Sequence, residues 1–197
     1  MLIMRRLLVL VLLSCFAVAR ADLSAVPAGN YVLDKPHGFI TYSYSHLGFS
    51  NPHIGFNEFD VDLELDNENP ENSTVNVTID ATSIDSRNDT FNGHLNGPNF
   101  FDTEKFPTIT FTSTAFEATG ENTFDISGDL TIKDITRPVT LAATINQAGN
   151  HPMRNMPWIG VSAQTRVSRS EWGLSRALPR VGDEVTIWIE VELPQAR

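Results

Sequence analysis

Phe91-Asn92-Gly93-His94-Leu95-Asn96-Gly97-Pro98-Asn99-Phe100-Phe101-Asp102-Thr103-Glu104-Lys105-Phe106-Pro107-Thr108-Ile109-Thr110-Phe111 is where two periodicities meet. Phe91 and Leu95 share one face of a short helix, with His94 beside them. Asp85 and Ser86 are candidate N-caps, and Gly97-Pro98 stops the helix. Phe100, Phe101 and Phe106 then crowd a segment that, as a loop, would ordinarily be polar. After Pro107 the pattern turns to strict alternation through Thr108, Ile109, Thr110 and Phe111, a strand with one apolar face. This much aromatic surface between two elements either plugs the end of a β-core or forms the wall and mouth of a lipid pocket. The stretch alone allows both.

Outward from it, the dominant period is two. Tyr31-Val32-Leu33 opens a strand that Pro36-His37-Gly38 breaks. Ile40, Tyr42 and Tyr44 share a face, and His46-Leu47-Gly48 ends that strand. Phe59, Val61, Leu63 and Leu65 hold one parity while Phe56 holds the other, which a β-bulge near Asn57-Glu58 would reconcile. The acidic, Asn-rich run from Asp66 to Asn72 reads as a hairpin loop before Val75, Val77, Ile79 and Ala81. Beyond the central stretch, the strand from Thr108 continues through Ser113 and Ala115. Phe124 to Ile132, Val139 to Ile145, Ile159 to Val167 and Val185 to Leu193 alternate in turn, with Trp188 facing away from the last set. Gln147 to Pro157 reads as a loop and Arg169 to Gly182 as irregular. The pattern predicts an all-β domain of about eight antiparallel strands with one short helix, as a barrel or a sandwich. Neither an internal repeat nor a Gly/Ser-rich linker divides it.

The first 21 residues read differently. Arg5-Arg6 precede an apolar run from Leu7 to Val18, and Ala19-Arg20-Ala21 fits a small-x-small cleavage site, so residues 1–21 are expected to be a signal peptide and 22–197 the domain. Leu12-Leu13-Ser14-Cys15 loosely matches a lipoprotein box, a rival that would acylate Cys15. Cleavage after Ala21 leaves no cysteine, hence no disulfide or thiolate chemistry. It also leaves 11 basic against 24 acidic residues, a net charge of about −13, which argues against nucleic acid or anionic membrane surfaces as partners; no other apolar run is long enough for stable membrane insertion. The sequons at Asn72, Asn76 and Asn88 arise easily by chance in an Asn- and Thr-rich chain.

No catalytic constellation is present: neither a Gly-x-Ser-x-Gly elbow nor a His-Glu-x-x-His, Walker or dinucleotide motif occurs. His46 and His53, seven apart around a turn, are the best metal candidates and lack the tight spacing of a metal site. His37, His46 and His94 are better explained as hydrogen-bonding partners of loop backbone. No enzyme, cofactor or metal is therefore expected. Binding is the alternative. Strands of about eight residues span roughly 26 Å, and an eight-stranded barrel has room for side chains or one small ligand. Small inward residues (Ala81, Ala115, Gly128, Ala143, Ala163) would leave space for a chain, and Tyr42, Tyr44, Phe59, Phe101 and Phe111 would flank it. Ile40, Ile79, Ile109 and Leu130 complete the strand contacts, and Phe91, His94, Leu95 and Phe100 come from the central stretch. Trp172 would cap one end and Arg169 would meet a phosphate or carbonyl head group.

His94-Leu95, Phe100-Phe101-Asp102 and Lys105-Phe106-Pro107-Thr108-Ile109-Thr110-Phe111, in this order, resemble the signature of the YceI-like family. Leu33-Asp34 with His37, His46-Leu47-Gly48, Gly128-Asp129-Leu130-Thr131-Ile132, Thr136-Arg137-Pro138-Val139-Thr140-Leu141, Arg169-Ser170-Glu171-Trp172-Gly173 and Gly182-Asp183-Glu184-Val185 extend the resemblance over nearly the whole mature chain. One departure is Phe91-Asn92, where the family usually has Arg-Asp before His-Leu. The resemblance implies an extended lipocalin-like antiparallel barrel. It further implies a periplasmic binder or carrier of polyisoprenoids, quinones or other long-chain lipids, and it suggests a homodimer. A structural or stress-protective barrel filled by its own side chains is the rival expectation.

Overall fold

The computed structural model describes residues 23–197; the expected signal peptide and Cys15 lie outside the described residues. One antiparallel sheet makes up almost the whole domain. Its strands are β1 (Gly29–Val32), β2 (Phe39–His46), β3 (His53–Phe56), β4 (Phe59–Leu65), β5 (Thr74–Asp80), β6 (Ile84–Asp85), β7 (Thr108–Ala118), β8 (Thr123–Ile132), β9 (Ile135–Asn150), β10 (Pro157–Ser168) and β11 (Val181–Pro194). Among the described residues a single α-helix, α1 (Asp89–Asn96), interrupts them. The strand order is β1-β4-β5-β7-β8-β9-β10-β11-β2-β3-β6.

The sheet curls until its first strand, β1, meets β11, three strands in from the other end. Tyr31 of β1 pairs with Leu63 of β4 on one side and bridges to Gln195, just past β11, on the other. The amide of Leu33 then donates to Val61 (3.1 Å) and that of Asp34 to Glu192 (2.9 Å), so consecutive residues tie β4 to β11. Alternation decides which faces point inward: Phe59, Val61, Leu63 and Leu65 of β4 are buried and the residues between them exposed. At the end where β1 meets β11, Leu23 and Val26 of the N-terminal segment are buried and stopper the barrel.

The barrel reading holds, with eleven strands rather than about eight. The run from Phe56 to Leu65 is not one bulged strand. At Asn57-Glu58 the chain leaves β3, next to one end of the sheet order, and joins β4, next to the other. Ser83 pins this crossing, accepting from Asn57 N–H through its carbonyl (3.1 Å) and from Glu58 N–H through Oγ (3.0 Å). A register shift does occur in β7, between Ser113 and Ala115; it turns Ala115 out to solvent and brings Phe116 in opposite Ile126. The loop expected from Gln147 is shorter, because β9 runs to Asn150.

Helix α1 begins later than the sequence suggested. Asn88, not Asp85 or Ser86, is its N-cap and accepts from the Phe91 amide at 2.9 Å. Asp85 and Ser86 lash the segment before the helix to its body: Asp85 accepts from Arg87 N–H (2.7 Å), and Ser86 N–H donates to the Asn92 side chain (2.7 Å). Gly97 ends the helix as expected.

Candidate functional site

The inward faces do not fill the barrel. A cavity of about 230 Å³ lies between α1 and the strands. β2 contributes Ile40, Tyr42 and Tyr44, and their cross-strand partners Ile189, Ile187 and Val185 in β11 extend the same wall. Ile79, Ile109, Phe111 and Leu130 form the opposite wall. Phe91 and Leu95 of α1 face in, as their spacing required, with Phe100 and Phe101 beside them. The Phe100-Phe101 segment folds back on the helix end, with the Phe101 amide donating to Leu95 O and the Thr103 amide to Asn96 O, both at 3.0 Å. That wrap sets Phe101 edge-to-face on Phe56, with centroids 5.8 Å apart, and 6.4 Å from Tyr42.

Thirteen of the fifteen residues expected to contact a ligand line this cavity. Phe59 and His94 do not. Phe59 is buried elsewhere, under the turn before β2, where its ring fills the space above Gly38. His94 lies on the solvent face of α1, one residue before the buried Leu95, because only one stripe of so short a helix can face the barrel. Among the small residues, Gly128 makes room for the Phe111 ring rather than for a ligand. Ala143 and Ala163 border a second, wholly apolar chamber of about 90 Å³ deeper in the barrel, towards Leu23. Val77, Leu141 and Ile189 line both chambers and form the partition between them.

Polar groups are few. Burial raises the Tyr42 and Tyr44 hydroxyl pKa values, that of Tyr42 strongly, so both remain neutral donors. Trp172 is 1% exposed and its Nε1–H donates to Leu130 O at 3.2 Å, anchoring one end of the cavity. Arg169 does not reach out to a head group. Its Nε donates to Gly182 O (2.8 Å), Nη2 to Arg176 O and Val181 O (3.1 Å each), and Nη1 to Leu174 O. This buried cation clasps the loop that closes the barrel. Burial lowers its pKa, and nearby Asp183 opposes that shift.

The cavity reaches solvent where its lining residues are exposed, at His46, Arg176 and Ala177. These, together with Val167, Leu174 and Val181 and with further strand residues such as Val77, Ile132, Leu141 and Ile187, are lining residues the sequence reading left unassigned. The alternation of Ile159–Val167 and Val185–Leu193 was the available signal for the strand positions; the loop residues had none. The rings of His37, His46 and His94 do not make the loop-backbone hydrogen bonds expected of them. His37 bonds the Asp34 carboxylate (2.5 Å), His53 packs on Trp188 (5.1 Å), and it is His151 that accepts loop amides, from Met153 and Arg154 (3.2 Å each). Among the described residues, Asp34, His37 and Glu192 bring donor atoms within 4.8 Å of one another at the barrel seam. Glu192 already accepts from Trp158 Nε1 (2.9 Å) and Asp34 from His37, so each has a protein partner. At the departure from the family motif, Phe91 lines the cavity, and Asn92 binds Ser86 and Asp85.

A closed antiparallel barrel with an internal apolar cavity and one loop-rimmed mouth defines a lipocalin-like class. The chain belongs to the YceI-like family, whose domain model matches residues 31–193. It is 34% identical over 179 residues to Escherichia coli YceI, covering 90% of this chain and 93% of that one. Burkholderia cenocepacia BcnA shares the fold at a TM-score of 0.74 and 22% identity, covering 81% of this chain and 98% of that one. So does a domain of Saccharophagus degradans described as polyisoprenoid-binding and implicated in plant cell wall breakdown, at 0.64 and 13%, covering 86% of this chain and all of that one.

Proposed function

We propose that the mature chain is a periplasmic carrier that holds an isoprenoid or another long-chain lipid, such as a quinone or polyprenyl species, inside the barrel. The observation that carries this is the cavity itself: inward-facing residues of β2, β5, β7, β8 and β11 leave an apolar void that the protein's own side chains do not fill. A dry apolar cavity of this kind takes hydrocarbon, and each methylene removed from water contributes about 0.8 kcal/mol. Affinity then comes from the tail, while the phenols of Tyr42 and Tyr44 offer neutral donors to an accepting group. The description of the Saccharophagus domain agrees with such a ligand. The carrier performs no reaction and needs no cofactor.

Native mass spectrometry of the secreted protein, followed by organic extraction, tests this. The expected result is a reproducible prenyl or long-chain species at about one per chain. Protein of bare mass that also fails to take up added quinone or polyprenol would refute it and leave a barrel with a structural role.

A further inference from the structure

The rim of the mouth carries a feature that the cavity does not explain. Between β2 and β3 the chain turns in three residues, Leu47-Gly48-Phe49, closed by the His46 amide on Ser50 O (2.8 Å) and the Phe49 amide on His46 O (3.0 Å). Leu47 has φ 56° and Gly48 φ 76°, a left-handed region that favours Gly or Asn and disfavours leucine. Phe49 is 90% exposed and Leu47 48%. A hairpin tip ordinarily holds polar residues, so neither the turn nor the core accounts for these two. Single exposed apolar residues are common, but here two flank one glycine at a tight tip.

Their position is what matters. The tip rises from His46, which lines the mouth, and the Leu47 amide donates to Arg180 O at 3.2 Å. Arg176, also at the mouth, and Arg180 are exposed, and neither makes an ion pair among the described residues. In a chain with 24 acidic residues and a net charge of −10, an apolar tip flanked by two free arginines is a local reversal of character. The other strongly exposed apolar residues, Phe39 and Met153, lie towards the opposite end of β11 and have no cavity mouth beside them.

We infer that this rim is a reversible docking surface for an anionic bilayer: Phe49 and Leu47 dip into the lipid interface, Arg176 and Arg180 meet the phosphates, and the mouth is presented to the membrane. The inference rests on the carrier reading, since a long-chain lipid must leave and rejoin a bilayer. An aromatic–aliphatic tip with flanking cations is suited to the interfacial zone, and attraction to surface phosphates is local, so an overall negative charge does not prevent it.

Flotation of the purified protein with vesicles of phosphatidylethanolamine and phosphatidylglycerol, against vesicles of phosphatidylethanolamine and phosphatidylcholine, tests the surface. The expected result is preferential flotation with the anionic vesicles. Phe49→Ser should weaken it by about tenfold, the loss expected for one buried phenyl group. Arg180→Gln should weaken it by about fivefold and reduce the anionic preference. Uptake of a detergent-dispersed prenylquinone should be the same for Phe49→Ser and the parent, because Phe49 does not line the cavity. Equal flotation of the parent and Phe49→Ser would overturn the docking surface, as would no flotation. A concentration-dependent dimer that Phe49→Ser abolishes would also overturn it, assigning the tip to a second copy of the chain. Failure of the parent to take up dispersed prenylquinone counts against the carrier reading instead, so the two failures are separable.

Discussion

Replacing Arg169 with methionine removes the clasp and keeps the side chain's bulk. Arg169 is 9% exposed and donates to four carbonyls, of Leu174, Arg176, Val181 and Gly182. Hydrogen bonds to a charged group contribute about 1.5–3 kcal/mol each, so four would sum to roughly 6 kcal/mol at the least. The real loss is smaller. Arg176 is exposed and its carbonyl can be rehydrated once the loop lifts, and methionine spares the cost of burying a guanidinium. A destabilisation of about 3 kcal/mol is the reasoned figure, or roughly 6–12 °C in Tm for a domain of this size. Urea and thermal unfolding measure it, with hydrogen exchange locating it. Amides of residues 174–182 should lose protection first, while β7–β9 amides remain protected. A loss below about 1 kcal/mol with unchanged exchange in 174–182 would refute the clasp.

Three further outcomes are expected. Gly128→Ala places a Cβ within 2.6 Å of the Phe111 ring and of Thr112 O; it should cost about 1–3 kcal/mol in urea unfolding and displace a ring that lines the cavity. Ala163→Phe fills the inner chamber, so in native mass spectrometry with prenylquinones of graded length the longest tails should be lost while short ones still bind. Asp85, held by the Arg87 amide and then by Asn92, has a pKa below its ordinary value, so its contribution is present above the unfolded carboxylate pKa and lost as pH falls through the depressed one. The difference in urea midpoint between the parent and Asp85→Asn should accordingly be constant near neutrality and vanish in strong acid.

Period-two alternation made the barrel legible, because each strand has one wet and one dry face and Val61, Leu63 and Leu65 state theirs without ambiguity. It could not show that the chain changes edges at Asn57-Glu58, since parity is blind to which strand lies alongside. It missed the register shift before Ala115 for a related reason: Ala115 is small enough to suit either face. At the site, aromatic residues in a connecting segment were a dependable sign, and Phe91, Phe100 and Phe101 all reach the cavity. His94 was misplaced because adjacency in sequence is not adjacency on a helix face. Arg169 lines the cavity as expected, yet its donors are spent on main-chain carbonyls of a loop whose path no periodicity reveals.

That carbonyl clasp also bears on how freely the closing loop can vary. Leu174, Arg176, Val181 and Gly182 answer Arg169 through their main chain alone. The clasp therefore places a demand on the loop's course and none on the identity of the side chains it carries. Mutational drift can change position 176 without unfastening the barrel, and the mouth can be retailored while the structure beneath it stays locked.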